Sequence, residues 1–291
     1  MPCPANLSPM FKWTGGKRRE LERIWELMPK FCVEAHAWRF VEPFVGGGAL
    51  FFALANPQSH INDLDEELIN FFNVVALGDE RFLAEVDKVS GLFGPGKNRD
   101  AQAEAYYRLR DLDRDGMLHT HPGWLRAARF FVVNQLAFSG MRRFNSNGEF
   151  NVPFGHYKNL NTSVLRSKPH RDLLSRATIT CGGYQDVLVA NDLPRTFIFL
   201  DPPYTRVMKT YSAGSTFGDA EQRELAKRLV SLRQASWMIV IDRSPLTEEL
   251  YGDRIVATYP VNYGVNIKNR FSQAAEHIVA CNYVPAPASR S

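Results

Sequence analysis

Thr196-Phe197-Ile198-Phe199-Leu200-Asp201-Pro202-Pro203-Tyr204 is the stretch of this 291-residue chain on which its fold turns. Five residues without polar alternation read as a strand of a parallel sheet buried on both faces. The acidic turn that follows then lies at the strand's carboxyl end, where open α/β sheets bind their ligands. Two successive prolines remove two backbone donors and fix two φ angles, so the turn is stiff and its carbonyls are left to accept hydrogen bonds. The Asp201 carboxylate and the Pro202 carbonyl facing one spot suit an incoming NH2 group. Tyr204 offers a flat face to an aromatic ring.

A second element is Phe40-Val41-Glu42-Pro43-Phe44-Val45-Gly46-Gly47-Gly48-Ala49-Leu50-Phe51-Phe52. A short apolar strand runs into three glycines and then a helix-like segment, which brings backbone N–H groups and a helix N-terminus close to a cofactor. The spacing is not the GxGxxG of a dinucleotide fold. Further on, His60-Ile61-Asn62-Asp63 ends a second strand in an acid. From there a carboxylate reaches ribose hydroxyls, or it caps a helix beginning near Leu64; the two roles are compatible.

Phe11-Lys12-Trp13-Thr14-Gly15-Gly16-Lys17 stands near the amino terminus, ahead of an amphipathic stretch from Arg18 to Met28. Taken in this order, that segment, the glycine loop, the acid after the next strand and the Asp-Pro-Pro-Tyr turn resemble the Dam-like, alpha-group DNA adenine methyltransferases. The resemblance implies an α/β, Rossmann-like sheet that uses S-adenosylmethionine, with an inserted, mainly helical target-recognition domain carrying a β-hairpin. It implies that Trp13, Lys17, Phe44, Gly46, Gly48, Asp63 and Asp201 hold the cofactor. Asp201, Pro202, Pro203 and Tyr204 would receive an adenine swung out of duplex DNA, with no metal required.

Charge is concentrated in the middle of the chain. Residues 117–181 carry nine Lys or Arg against two acids, while the remainder is net negative. Such a cluster is the electrostatic footprint expected of a phosphate-binding face. Within it, Phe138 to Tyr157 contains Asn147-Gly148 between alternating segments, a hairpin signal because both residues tolerate positive φ. A two-stranded ribbon fits the major groove of B-DNA. The stretch Gly148-Glu149-Phe150-Asn151-Val152-Pro153-Phe154-Gly155 is similar to the recognition hairpin of the same family. By that resemblance Lys12, Ser139, Met141, Arg142, Arg143, Asn145, Pro153, His156 and Lys158 face DNA, with Arg143 reading a base edge. Ser139 and His156 stand where GATC-reading members carry asparagine and arginine, so that target sequence is not carried over.

Strand-like runs near Arg39–Val41, Gln58–Asn62, Ala177–Cys181, Thr196–Leu200, Trp237–Ile241, Arg254–Tyr259 and His277–Tyr283 alternate with helical patterns such as Glu66–Leu77 and Ala220–Arg233. The expected organisation is a catalytic domain formed by residues 1–75 and 177–284, a DNA-binding insertion over 76–176, and a flexible tail over 285–291. Within the insertion, Gln102–Asp115 and Pro122–Leu136 read as helices. The segment Asn262 to Arg270 resembles a basic loop bordering the target base. Cys3, Cys32, Cys181 and Cys281 are scattered without a CxxC pair, so neither zinc nor a disulfide framework is indicated. No signal peptide or membrane span is evident, and a reducing cytoplasm is expected. A cytosine 4-amino methyltransferase and a catalytically silent DNA-binding relative stay open as alternatives. A cognate restriction endonuclease acting as a separate protein is compatible with all of this.

Overall fold

The central strands are uninterrupted apolar runs because both of their faces are covered. In the computed structural model, which describes residues 3, 6–13, 15–34, 37–204, 217–261 and 275–285, seven strands form one sheet. They are β1 (Arg39–Glu42), β2 (Ser59–Asp63), β3 (Thr178–Cys181), β4 (Thr196–Leu200), β5 (Ser236–Asp242), β6 (Ile255–Val261) and β7 (Ala275–Cys281). Their spatial order is β3-β2-β1-β4-β5-β7-β6. The first five pair in parallel, while β7 runs antiparallel to both β5 and β6.

All five residues of β4 are buried, and alternate side chains go to opposite faces. Phe197 and Phe199 join one hydrophobic cluster, Ile198 and Leu200 the other. Strand order reverses between β1 and β4, so the crevice outside their carboxyl ends is where such a sheet takes a ligand.

Among the described residues the helices are α1 (Leu21–Leu27), α2 (Lys30–Glu34), α3 (Ala49–Leu54), α4 (Glu66–Leu77), α5 (Glu80–Ser90), α6 (Arg99–Arg110), α7 (Gly123–Leu136), α8 (Lys168–Arg176), α9 (Tyr184–Ala190), α10 (Asp219–Ser231) and α11 (Pro245–Tyr251). The expected helix over 102–115 instead begins where Asn98 caps the backbone N–H of Asp100. It stops at Arg110, short of a kink in which Asp115 and Gly116 take left-handed φ. The amphipathic amino-terminal stretch divides into a short 3-10 turn, Lys17–Arg19, and α1.

Helices α4 to α8 lie between β2 and β3 in the chain and pack on the same core as the sheet. Phe71 of α4 meets Phe11, Phe130 and Phe131 at ring-centroid distances of 5.3, 5.4 and 6.0 Å. Among the described residues no helix is long and apolar enough to cross a membrane. The four cysteines are unbridged, three buried and Cys181 exposed. The loop read over 262–270, and the tail beyond Pro285, lie outside the described residues.

Candidate active site

Chain direction places Asp201 immediately after β4, and the amino-terminal segment closes over it. Lys17 Nζ donates to Asp201 Oδ1 at 2.6 Å and also reaches the Tyr204 hydroxyl. That hydroxyl in turn donates to Asp201 Oδ1 at 3.2 Å. Lys17 is 2% exposed, so the pair sits where charge interactions are weakly screened. Burial pushes the Asp201 carboxyl above the ordinary aspartate range, and Lys17 works against that push. The turn is tied to α10 by Gln222, whose Nε2 donates to the Pro203 carbonyl at 2.9 Å.

The glycine loop follows β1 and is held by Asp63. Asp63 Oδ2 accepts from the Gly46 N–H at 2.9 Å, and Oδ1 accepts from the Asp65 N–H at 3.0 Å. Asp63 is therefore not the cap of the following helix. Asp65 caps α4 by accepting from the Leu68 N–H, because the helix begins at Glu66 and not near Leu64. Burial, then the neighbouring Asp65 charge, raise the Asp63 carboxyl to about 6. Gly46 and Gly48 take positive φ, 45° and 65°. Trp13 lies against the loop so closely that a Cβ on Gly46 would stand 2.6 Å from its Nε1. Phe44 meets Tyr184 at a tilt and Phe217 edge-on, with centroids 5.2 and 5.7 Å away, giving an apolar ring surface at the start of the glycine loop.

Several groups here were not singled out from the sequence. Glu42, at the end of β1, is 3% exposed and accepts from the Phe51 N–H. Burial, then the Asp201 charge, hold its carboxyl well above the usual range. An acid inside an apolar strand was a visible signal. Glu20 Oε2 accepts from the Tyr259 hydroxyl at 2.5 Å and meets His277 Nδ1 at 2.8 Å. His277 lies 5.2 Å from the Tyr204 ring, joining β7 to the Asp-Pro-Pro-Tyr turn. Burial works to raise the Glu20 carboxyl, but the His277 hydrogen bond and the Lys17 charge hold it below its usual range.

The expected ribbon is not a continuous pair of strands: its limbs meet at two antiparallel bridges, Phe144 opposite Phe150 near the turn and Ala137 opposite Phe154 at the base. Asn145 N–H donates to the Glu149 carbonyl and Gly148 N–H to the Asn145 carbonyl, at 2.9 and 3.0 Å. Of the Asn147-Gly148 pair, Gly148 takes positive φ and Asn147 does not. The tight two-residue hairpin is thus replaced by a longer turn, in which the Asn145 side chain accepts from the N–H groups of Asn147 and Glu149. Ser139, Met141, Arg143, Pro153, His156 and Lys158 are exposed in and around it. Lys12 Nζ stands 5.9 Å from the Tyr157 ring centroid. Arg143 is turned along the ribbon, its Nε donating to Asn151 Oδ1 at 2.7 Å. Arg142 differs from its expected place at DNA. Its guanidinium points inward, paired with Asp65 at 2.6 Å and lying 4.4 Å over the Trp13 ring.

With this geometry in view, residues 13–267 match the family of D12 class N6 adenine-specific DNA methyltransferases. The chain belongs to that family. It is 34% identical to the Type II methyltransferase M1.LlaDCHI of Lactococcus lactis subsp. cremoris over 258 residues, 85% of this chain and 86% of the relative. It is 33% identical to the Type II methyltransferase M.MjaIII of Methanocaldococcus jannaschii, covering 80% and 83%. The DNA adenine methylase of Haemophilus influenzae is 32% identical, covering 84% and 82%. The protein is an adenine-specific DNA methyltransferase, and its sheet is the Rossmann-like one of such enzymes. A methyl donor is thereby implied.

In this D12 methyltransferase much of the excess charge of the basic middle segment is matched by acids elsewhere. Arg126 pairs with Glu66 and Glu67, Arg129 with Asp113, Arg142 with Asp65 and Arg166 with Asp87. Among the described residues Arg143 and Lys158 pair with no carboxylate, and both are exposed. Glu66, Glu67 and His119 bring metal-ligand atoms within 4.8 Å of one another, but Arg126 already engages both carboxylates.

Proposed function

We propose that this methyltransferase uses S-adenosylmethionine to methylate N6 of an adenine swung out of duplex DNA. The observation that carries the reading is the convergence of Asp201, Gly46 and Asp63 at the carboxyl ends of the neighbouring strands β4, β1 and β2. The residues present fit the cofactor. Asp63 keeps lone pairs for ribose hydroxyls beyond its two backbone bonds, and Phe44, Tyr184 and Phe217 give an apolar face for its adenine. Trp13, Lys17, Gly46 and Gly48 complete the enclosure.

When bound, S-adenosylmethionine supplies an electrophilic methyl group on a positively charged sulfur. The chain's task is to make a poor nucleophile adequate. The lone pair of the adenine amine is conjugated into the ring, and hydrogen bonds from NH2 to the Asp201 carboxylate and the Pro202 carbonyl favour its tetrahedral form. Transfer would form the N–CH3 bond as the methyl–sulfur bond breaks with its electron pair left on sulfur; the methylated nitrogen is then strongly acidic, and Asp201 is placed to accept its proton. Extruding the base costs about a few kcal/mol, and stacking on Tyr204 offsets about 1–3 of it.

Residues 76–176 are read as the DNA-recognition insertion between catalytic parts 1–75 and 177–284. Arg143 and Lys158 are its cationic contacts to DNA, joined by Lys12 from the amino-terminal segment, and Ser139, Met141, Asn145, Pro153 and His156 its neutral ones. The Type II names among the relatives support a modification role; a separately acting endonuclease and a place in the cytoplasm beside the DNA are part of the same proposal. The test is incorporation of labelled methyl from S-adenosylmethionine into duplex and single-stranded DNA, followed by digestion to nucleosides. Label in N6-methyladenine, faster on the duplex, is expected; label in cytosine, or none, overturns the reading.

A further inference from the structure

Arg142 is next in sequence to the exposed Arg143 yet turned the other way. Its Nη2 donates to Asp65 Oδ2 at 2.6 Å, its guanidinium carbon lies 4.4 Å over the Trp13 ring and 5.5 Å over Phe130, and the side chain is 12% exposed. Both anchored partners belong to the glycine-loop side. Trp13 rests on Gly46 and Gly47, and the Asp65 N–H donates to Asp63 Oδ1, whose other oxygen holds the Gly46 N–H.

We propose that Arg142 is a positioning residue for the S-adenosylmethionine site and not a reader of DNA. The inference rests on the reading of that site given above. A planar guanidinium satisfies two demands at once: it lies on an indole face while giving a directed N–H to a carboxylate. By holding Trp13 and Asp65 it fixes two sides of the enclosure around Asp63. Its remaining Nη1 is buried without a protein partner among the described residues, so the Asp65 pair and the ring faces are what hold it. Pairing with Asp65 also tempers a negative charge that raises the Asp63 carboxyl, keeping Asp63 an acceptor.

The experiment compares wild type with R142M, which keeps the length and loses the charge, and R142K, which keeps the charge and loses the plane. Calorimetry with S-adenosylmethionine alone is expected to show affinity about 10-fold weaker for R142M and intermediate for R142K. KM for S-adenosylmethionine should rise in step while kcat at saturation changes by less than about 2-fold. Binding to a panel of single-base variants of the mapped DNA site should keep wild-type discrimination and salt slope. Unchanged S-adenosylmethionine affinity in both variants overturns the proposal, as does loss of discrimination at one base pair. If R142M melts well below wild type, R142K decides between the same two outcomes. A wild-type protein that binds DNA but no S-adenosylmethionine overturns the site reading itself, and the proposal with it.

Discussion

Lys17 Nζ stands 2.6 Å from Asp201 Oδ1, joining residues 184 positions apart across the mouth of the sheet. The contact ties the amino-terminal segment to the Asp-Pro-Pro-Tyr turn. It also opposes the effect of burial on the carboxylate proposed to receive the adenine amine.

Lys17→Met is expected to lower kcat/KM and to move the acid limb of its pH profile upward. Burial alone raises the Asp201 carboxyl and Lys17 opposes that rise, so removing the ammonium leaves a carboxyl protonated at higher pH. The profile is to be measured at saturating cofactor. An acid limb at the wild-type pH would mean that Asp201 does not govern it.

Asp63→Asn should weaken S-adenosylmethionine binding by about 1.5–3 kcal/mol, the worth of hydrogen bonds to a charged acceptor. In the wild type the affinity is expected to be level above pH 7 and to fall as pH drops through about 6, where Asp63 takes up a proton. Unfolding does not account for such a fall. A carboxyl whose native value is raised above its unfolded one binds its proton more tightly when folded, so this group adds stability as pH falls over that range. Calorimetry from pH 5 to 8 checks both points, and a flat wild-type profile would refute them.

Arg143→Ala is expected to relax preference at one base pair of the target, at a cost of about 1–3 kcal/mol of discrimination. Lys158→Ala should weaken binding to all sequences alike and flatten the salt dependence, as the loss of a phosphate contact does. Single-base site variants titrated at two salt concentrations separate these patterns. A uniform loss with Arg143→Ala would place specificity elsewhere in the insertion.

Asp113 and Arg129, each 7% exposed, form a buried pair beneath the ribbon, and Asp113 Oδ2 also accepts from the Phe150 N–H at 2.7 Å. Asp113→Ala strands the guanidinium and should destabilise the protein by about 3–5 kcal/mol. Adding Arg129→Met should recover part of the loss. Urea denaturation of the three proteins decides it, and a cost under about 1 kcal/mol would show the pair to be dispensable.

What was legible in the sequence divides along physical lines. β4 was read to the residue because a strand buried on both faces has no periodicity to blur its ends; helix α4 was read over Glu66–Leu77 from its run of apolar residues, although its start was also placed near Leu64. The cap of α4 went to Asp65 in place of Asp63, since three acids fall within four positions and only the backbone path decides which side chain reaches the Leu68 N–H. Glu20 and His277, 257 positions apart, carry no local signal of their meeting. The basic middle segment misled through its linear count. Asp65, Glu66, Glu67, Asp87 and Asp113 all lie outside the window that was counted, and they fold back onto its arginines.

The central claim is that the Asp201 carboxylate acts on the adenine amine, and Asp201→Ala tests it most directly. Labelled methyl incorporation and duplex affinity are to be measured on the same folded preparation. The account predicts that incorporation falls to background while duplex affinity stays within about 3-fold of wild type, because the carboxylate acts at the base and not on the phosphates. Incorporation near the wild-type rate would contradict it.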